Sequence, residues 1–366
     1  MAYLNLYQDK LQHNFNFLKK LFSEHNMDWG VVSKLLCGHP EYLQVLIDLG
    51  ITEIYDSRVK NLKAIKEIAP DIQTVFIKPP SLGKIEELIR YADVSMNTEY
   101  STLKLMSDEA VKQNKVHKVI IMIETGDLRE GIMGDHLITF YAKVFELPNI
   151  EVIGLGTNLN CLHGVMPSQD KLIQLSLYKQ IIELKFNRKI PWISAGTSVT
   201  IPLLITSQIP RGINHFRVGE TLFFGVNLFE EKTLEGMEPH VFELFGEIIE
   251  ITKKPMLPIG ELSTNPSGER YEVDPTLYGR TSYRAILDFG LLDVNPQFIK
   301  PVNPDLEVAG ASSDMLIVDL GDNLNGYKVG DFLSFHLKYM GALQVLNSHY
   351  IDKKVVPSNV PELVQA

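Results

Sequence analysis

Lys34 closes an apolar run, "DWGVVSKLLCG", at a place where a buried strand would ordinarily carry another valine. Four further features punctuate similar runs: Arg129 in "ETGDLREG", Asn158 in "VIGLGTN", Gly196-Thr197-Ser198 in "WISAGTS" and Arg217 in "HFRVGE". Each has a plainer role when taken singly. A lysine at a strand end commonly snorkels, a loop arginine commonly meets a carboxylate, and Gly-Thr-Ser is commonly a turn. Together they describe a chemistry. An amine in a largely desolvated pocket beside other cations is favoured in its neutral form, which condenses with an aldehyde. Hydroxyls flanked by glycine, with nearby backbone N–H groups, can cradle a phosphate. A lysine for an aldehyde and a cradle for a phosphate point to pyridoxal phosphate. The other reading of the same residues is a lysine-dependent aldolase acting on a phosphosugar.

Bringing five such features to one place requires a repeating scaffold, and the spacing supplies one. Short, β-branched-rich runs predict strands over 29–35, 53–56, 74–78, 94–97, 118–124, 152–158, 192–196 and 215–220. Helical spacing fills the gaps, as in "DSRVKNLKAIKEIAP", where Asp56 or Ser57 can cap the start and Pro70 ends the pattern. Eight strand-helix repeats over about 230 residues favour a (β/α)8 TIM-type barrel, whose active site lies at the C-terminal ends of its strands. All five features fall at that end. After about residue 235 the texture changes to alternating strands separated by "PSG", "NPD", "DNLNG" and "KVGD", with no helix expected before the tail. The expected organisation is therefore α/β: a barrel domain over 1–234, followed by a mostly-β domain over 235–366.

Composition bounds the partners. The 366 residues carry a formal net charge of −10, which argues against nucleic acid and suits cationic or zwitterionic ligands. No apolar run reaches the roughly 18 residues needed to span a bilayer, and "MAYLNLYQDK" does not read as a signal peptide. Two cysteines, Cys37 and Cys161, in no metal-like spacing, suit a reducing, cytoplasmic compartment. The ten histidines show no ligand spacing and "LGDNLNG" reads as a hairpin turn, so no metal is expected.

The segments "VVSKLLCG", "YDSRVKNL", "ETGDLREGI", "GLGTNLNC", "SAGTSVTIPLL", "INHFRVGETLFFG", "GASSDMLIVDLGD" and "KYMGALQVLNSHYIDKK" run in order from residue 31 to about 354. This ordered set resembles the alanine racemase family of fold-type III pyridoxal-phosphate enzymes, most closely its ornithine and amino-acid racemase branch. The resemblance implies a pyridoxal-phosphate-dependent racemase exchanging the Cα proton between two bases. The expected substrate is ornithine, another basic amino acid, or alanine. By the resemblance, Lys34 matches the lysine that holds the cofactor covalently and then acts as a base on one face. Arg129 matches the arginine near the cofactor's phenolic oxygen and the substrate carboxylate. Asn158 falls where many alanine racemases carry a histidine beside the ring. Thr197 and Ser198 match an Asn-Ser pair at the phosphate, Gly219 and Glu220 its backbone donors, and Tyr339 a late tyrosine closing over it. Arg217 matches the arginine facing the pyridine nitrogen. A guanidinium stays protonated, so that nitrogen would remain an uncharged acceptor and the ring a weaker electron sink, favouring proton return over transamination.

The opposite face needs a second base. The family takes a tyrosine there from the partner subunit's β domain, but Gly290-Leu291-Leu292-Asp293 has leucine at that place. Tyr283 is the expected substitute, with Tyr278, Asp293 and Cys37 as others. Ser313 and Asp314 match a turn contributed to the partner's site, which implies a homodimer with shared active sites. Asp127, Glu130 or Glu220 could face a side-chain ammonium of the substrate. The competing functions are a pyridoxal-phosphate-binding protein without racemase activity and another fold-type III enzyme such as a D-hydroxyamino-acid aldolase or dehydratase.

Overall fold

The computed structural model describes residues 1–264, 268 and 270–358, and the chain divides into two compact units. One spans Tyr7–Val241; the other combines Met1–Leu6 with Phe242–Val356. After a first strand β1 (Tyr3–Tyr7), eight strands close into a parallel barrel: β2 (Asp28–Val32), β3 (Glu53–Asp56), β4 (Gln73–Phe76), β5 (Val94–Asn97), β6 (His117–Met122), β7 (Ile150–Gly156), β8 (Trp192–Thr197) and β9 (His215–Val218). β9 pairs back onto β2 with Gly30 opposite Arg217, which completes the ring.

Every expected segment carries a strand, but most strands stop two or three residues before the apolar run does. β2 ends at Val32, β4 at Phe76, β6 at Met122, β7 at Gly156 and β9 at Val218. Lys34 and Asn158 therefore stand in the loops that follow their strands rather than on them. Barrel strands are covered on both faces and so read as nearly continuous apolar runs; Val75, Val94, Met96, Ile120 and Met122 cluster in the core. Polar residues are set among them. Glu53, Ser194, His215 and Arg217 are all buried, and His215 and Arg217, two apart on β9, share one strand face. Outside the ring, the helix Gln8–Glu24 buries Leu11, Phe15, Leu18 and Phe22 along one stripe. Asp56 Oδ1 accepts the Arg58 backbone N–H at 2.8 Å, so Asp56 rather than Ser57 organises the entry to the helix Val59–Ile68.

The second unit is an antiparallel sheet built around the long strand Phe242–Pro255. β1 joins that strand, pairing Tyr3 with Phe245 and Leu6 with Phe242. Residues 1–6 therefore belong with the sheet, not with the barrel expected over 1–234. The nine-residue helix Tyr339–Asn347 follows the strand Phe332–Leu337 and buries Gly341, Ala342, Val345 and Leu346. A Cβ at Gly341 would lie 2.6 Å from the Phe298 carbonyl oxygen, so this glycine serves close packing. The "LGDNLNG" segment is a turn, as expected, with Asp319 Oδ1 accepting the Gly321 N–H. Among the described residues no helix is long and apolar enough to cross a membrane, and no cluster of His, Cys, Asp and Glu could hold a metal.

Candidate active site

The loop after β2 explains the lysine. Ser33 is locked to β3, its N–H donating to the Tyr55 carbonyl and its hydroxyl lying 3.2 Å from Asp56 Oδ2. The chain then makes a short 3-10 turn, Lys34–Leu36, burying Leu35 and Leu36. Cys37 and Gly38 follow with φ of 52° and 77°, left-handed values that Gly38 tolerates without strain. A Cβ at Gly38 would sit 2.5 Å from Asn61 Oδ1. The two leucines anchor the turn while Lys34 is exposed. The ammonium is thus lifted out of the strand instead of replacing a core valine.

Around it, the ends of β6, β7, β8 and β9 are tied into one line. Arg129 donates through Nε and Nη2 to both oxygens of Glu130, the Nη2 contact being 2.6 Å. Asn158 Nδ2 donates to Glu130 Oε1 at 2.5 Å, and its Oδ1 accepts from Arg217 Nη2 at 2.7 Å. Arg217 Nη2 also donates to the Thr157 carbonyl at 2.7 Å, and Nη1 donates to the Ser194 carbonyl and, at 2.6 Å, to Ser194 Oγ. Four of its five N–H groups are engaged; Nε–H has no partner among the described residues. Burial pushes the Arg217 guanidinium below its ordinary pKa. For Arg129, burial pulls down while the Glu130 hydrogen bond and charge pull up, and the carboxylate wins.

At the end of β8, Ser198 Oγ accepts the N–H groups of Gly219 (3.3 Å) and Thr221 (3.2 Å), and the Thr197 side chain accepts in a capping box with Thr200. A Cβ on Gly219 would come within 3.2 Å of the Val32 side chain and carbonyl. Glu220 follows, its carboxyl pushed up by burial and drawn partly back by the charge of Lys34. Lys34, Arg129, Asn158, Thr197, Ser198, Arg217, Gly219 and Glu220 therefore all lie in the barrel unit at strand ends. The donor set fits pyridoxal phosphate: a buried guanidinium bound only to neutral oxygens, with one N–H to spare, suits a neutral ring nitrogen.

The acids of this region are mostly spoken for. Burial alone would raise the Asp127 carboxyl, but backbone N–H groups of Leu162, His163, Cys161 and Val165 outweigh it and hold the group below its ordinary value. Asp127 thus organises the 161–165 loop, and Glu130 is consumed between Arg129 and Asn158. Neither is left to face a substrate ammonium.

Tyr283 and Tyr339 lie in the sheet unit. Tyr283 is on the strand Thr281–Leu287 with Lys253 Nζ 5.5 Å above its ring, and Tyr339 opens the helix Tyr339–Asn347. Asp293 is structural, accepting from the Ser348 hydroxyl at 2.6 Å and from Gly290 N–H. Leu291 and Leu292 donate their N–H groups to the Ser312 and Ser313 carbonyls, so the "GLLD" and "SSD" turns are stitched together. A Cβ on Gly290 would strike Met315 N at 2.4 Å. Sequence reasoning did not single out Ser194 or Glu53, whose polarity within apolar strand segments was the available signal.

Residues 6–227 match the family model described as alanine racemase, N-terminal domain. The ornithine racemase of Acetoanaerobium sticklandii is 36% identical over 350 residues, covering 95% of this chain and 98% of that protein. The chain belongs to the alanine racemase family. A second member, the lysine racemase of Thermotoga maritima, is 25% identical over 95% of this chain and 97% of its own length. Among solved structures, an alanine racemase of Clostridium difficile 630 superposes with a TM-score of 0.73 at 15% identity, covering 98% of this chain and 96% of that one. The family fold of barrel and sheet is thus present over nearly the whole chain, and pyridoxal phosphate is its cofactor.

Proposed function

We propose that this pyridoxal-phosphate-dependent amino-acid racemase acts on ornithine or another basic amino acid, as a homodimer in the cytoplasm. The observation that carries the chemistry is the Arg217 guanidinium, buried at the foot of the site with its charge intact and one N–H unspent. Pyridoxal phosphate, when bound, supplies the electron sink that makes the substrate's Cα proton labile. Lys34 holds the cofactor and moves a proton on one face of Cα. Arg129, oriented by Glu130, binds the substrate carboxylate. Arg217 donates to the ring nitrogen without protonating it, which limits electron withdrawal and favours reprotonation at Cα. Thr197, Ser198 and the Glu220 N–H hold the phosphate, with the Gly219 N–H fixing the Ser198 hydroxyl. Asn158 keeps Arg217 and Arg129 in register instead of stacking.

We assign the second base to Tyr283, a residue of the sheet unit. Ser313 and Asp314 reach the partner's site in the dimer. Identity to the ornithine racemase along nearly the full chain supports the substrate assignment, and two cysteines outside any disulfide suit the compartment.

Purified protein with added cofactor should show a visible absorbance band that Lys34→Ala abolishes. In heavy water, L-ornithine, L-lysine, L-arginine, L-alanine and L-serine should then be compared for deuterium uptake at Cα and inversion. Uptake with inversion, fastest for a basic substrate, is the expected result. Tyr283→Phe should slow exchange from one enantiomer on the order of 100-fold while sparing the other half-reaction. Cofactor binding without exchange on any substrate would instead make this a cofactor-binding protein.

A further inference from the structure

Beneath Arg217 the barrel holds three buried polar groups that the reaction does not use, namely Ser194 on β8, His215 on β9 and Glu53 on β3. They form an unbroken line. Arg217 Nη1 donates to Ser194 Oγ at 2.6 Å, Ser194 Oγ lies 2.7 Å from His215 Nδ1, and His215 Nε2 lies 2.9 Å from Glu53 Oε1. Gln73 Nε2 donates to the other Glu53 oxygen at 2.5 Å, and the Tyr55 hydroxyl stands 3.3 Å from His215 Nε2. Trp192 stacks on the imidazole, centroids 4.3 Å apart, and fixes its plane. Gly30 makes the room: a Cβ there would lie 2.7 Å from both Glu53 Oε1 and the Tyr55 ring.

The direction of every bond follows from the ends. A guanidinium only donates and a carboxylate only accepts. A bare Nε2 facing Glu53 would set lone pair against lone pair, so Nε2 carries hydrogen. Ser194 Oγ accepts from Arg217, and its own hydrogen needs an acceptor, which His215 Nδ1 provides only when unprotonated. A doubly protonated imidazole would leave that hydroxyl hydrogen with no acceptor among the described residues. The self-consistent state is a neutral His215 protonated at Nε2.

We propose that Glu53 and His215, acting through Ser194, are positioning residues for Arg217. The carboxylate selects one imidazole tautomer, the tautomer orients the hydroxyl, and the hydroxyl takes one guanidinium N–H. With the Ser194 and Thr157 carbonyls and Asn158 Oδ1 taking three more, Nε–H is left as the donor for the pyridine nitrogen. Glu53 thereby balances the buried positive charge from a distance. A carboxylate in direct contact would compete with the ring nitrogen for that donor. The role given to Arg217 rests on the racemase reading; the bond order in the relay does not.

The test is nitrogen NMR of the full chain carrying 15N-labelled histidine, with and without pyridoxal phosphate. The expected result is a His215 imidazole that carries its hydrogen on Nε2 and accepts at Nδ1. Glu53→Gln should reverse the tautomer, because the Gln73 amide claims the new carbonyl oxygen and turns an NH2 group toward Nε2. Ser194→Ala, a small change in a buried strand, should lower kcat about tenfold, the value of one charge-assisted hydrogen bond, with KM within twofold. A wild-type His215 that is doubly protonated or Nδ1-protonated overturns the proposal, as does Ser194→Ala with unchanged kcat. An Nε2-protonated His215 in a protein that exchanges no Cα proton supports the relay while refuting the racemase reading.

Discussion

Asn158 separates two charged systems, and exchanging it for aspartate measures how tightly they are coupled. The amide has a fixed orientation: Oδ1 faces the Arg217 guanidinium at 2.7 Å and Nδ2 faces Glu130 Oε1 at 2.5 Å. Asn158→Asp is nearly isosteric. It keeps the first contact and turns the second into carboxylate against carboxylate. Two such charges with centres about 4 Å apart repel by roughly 4 kcal/mol at the effective dielectric of a protein site. Arg129 stays on one carboxylate and Arg217 on the other, so part of this repulsion is offset and the remainder is felt only while both groups are ionised. The sign follows from proton counting. The folded variant favours a shared proton that the unfolded chain releases, so the variant loses stability relative to wild type as pH rises out of the acid range. Thermal unfolding of variant and wild type from pH 4 to 8.5 should show the two Tm curves diverging upward from pH 5, and kcat of the variant should acquire an alkaline fall in the same window. Tm differences that stay flat with pH would refute the assigned amide orientation and the contact with Glu130.

His117, buried on β6 with Ser95 Oγ 2.8 Å from its Nε2, has its pKa lowered by burial from 6.5 to about 4. The unfolded chain takes up that proton first, so stability is lost as pH falls from about 6.5 to 4, by up to roughly 3 kcal/mol; His117→Gln should flatten the acid limb of a urea-midpoint profile. Gly196→Ala places a Cβ 2.2 Å from the Phe216 ring in the barrel wall and should cost about 3 kcal/mol in chemical denaturation. Gly290→Ala sets a Cβ 2.6 Å from the Ser312 and Ser313 carbonyls; the turns should separate, weakening dimerisation in sedimentation equilibrium while cofactor absorbance in the barrel persists.

The barrel was legible because all eight strands are short apolar runs with helical spacing between them, a pattern set by burial on both faces. Where the runs stop being strands was not legible, since Ser33 and Lys34 continue the composition of β2 and only the anchoring of Leu35 and Leu36 shows the turn. The positions of Lys34, Arg129 and Arg217 followed from strand order. What connects them did not, because the Arg217–Ser194–His215–Glu53 line joins three strands distant in sequence. Asp127 misled as an ammonium partner because its four N–H donors come from a loop more than thirty residues away. The helix at Tyr339 was hidden by its brevity, and the fate of β1 by the distance to its partner strand.

That last pairing carries a consequence for how the molecule is made. Leu6 meets Phe242 across the sheet, so the barrel's whole sequence is inserted between two neighbouring strands of another domain. On a ribosome adding about 5 to 20 residues per second, Tyr3–Tyr7 emerges roughly 10 to 50 seconds before the strand it must join. During that interval the barrel can close on its own, while an unpaired hydrophobic ribbon waits at its leading end. Assembly should therefore proceed from the middle of the chain outward, with the two extremities meeting last. Nascent chains cut short before Phe242 should then yield a closed barrel trailing a protease-sensitive leader.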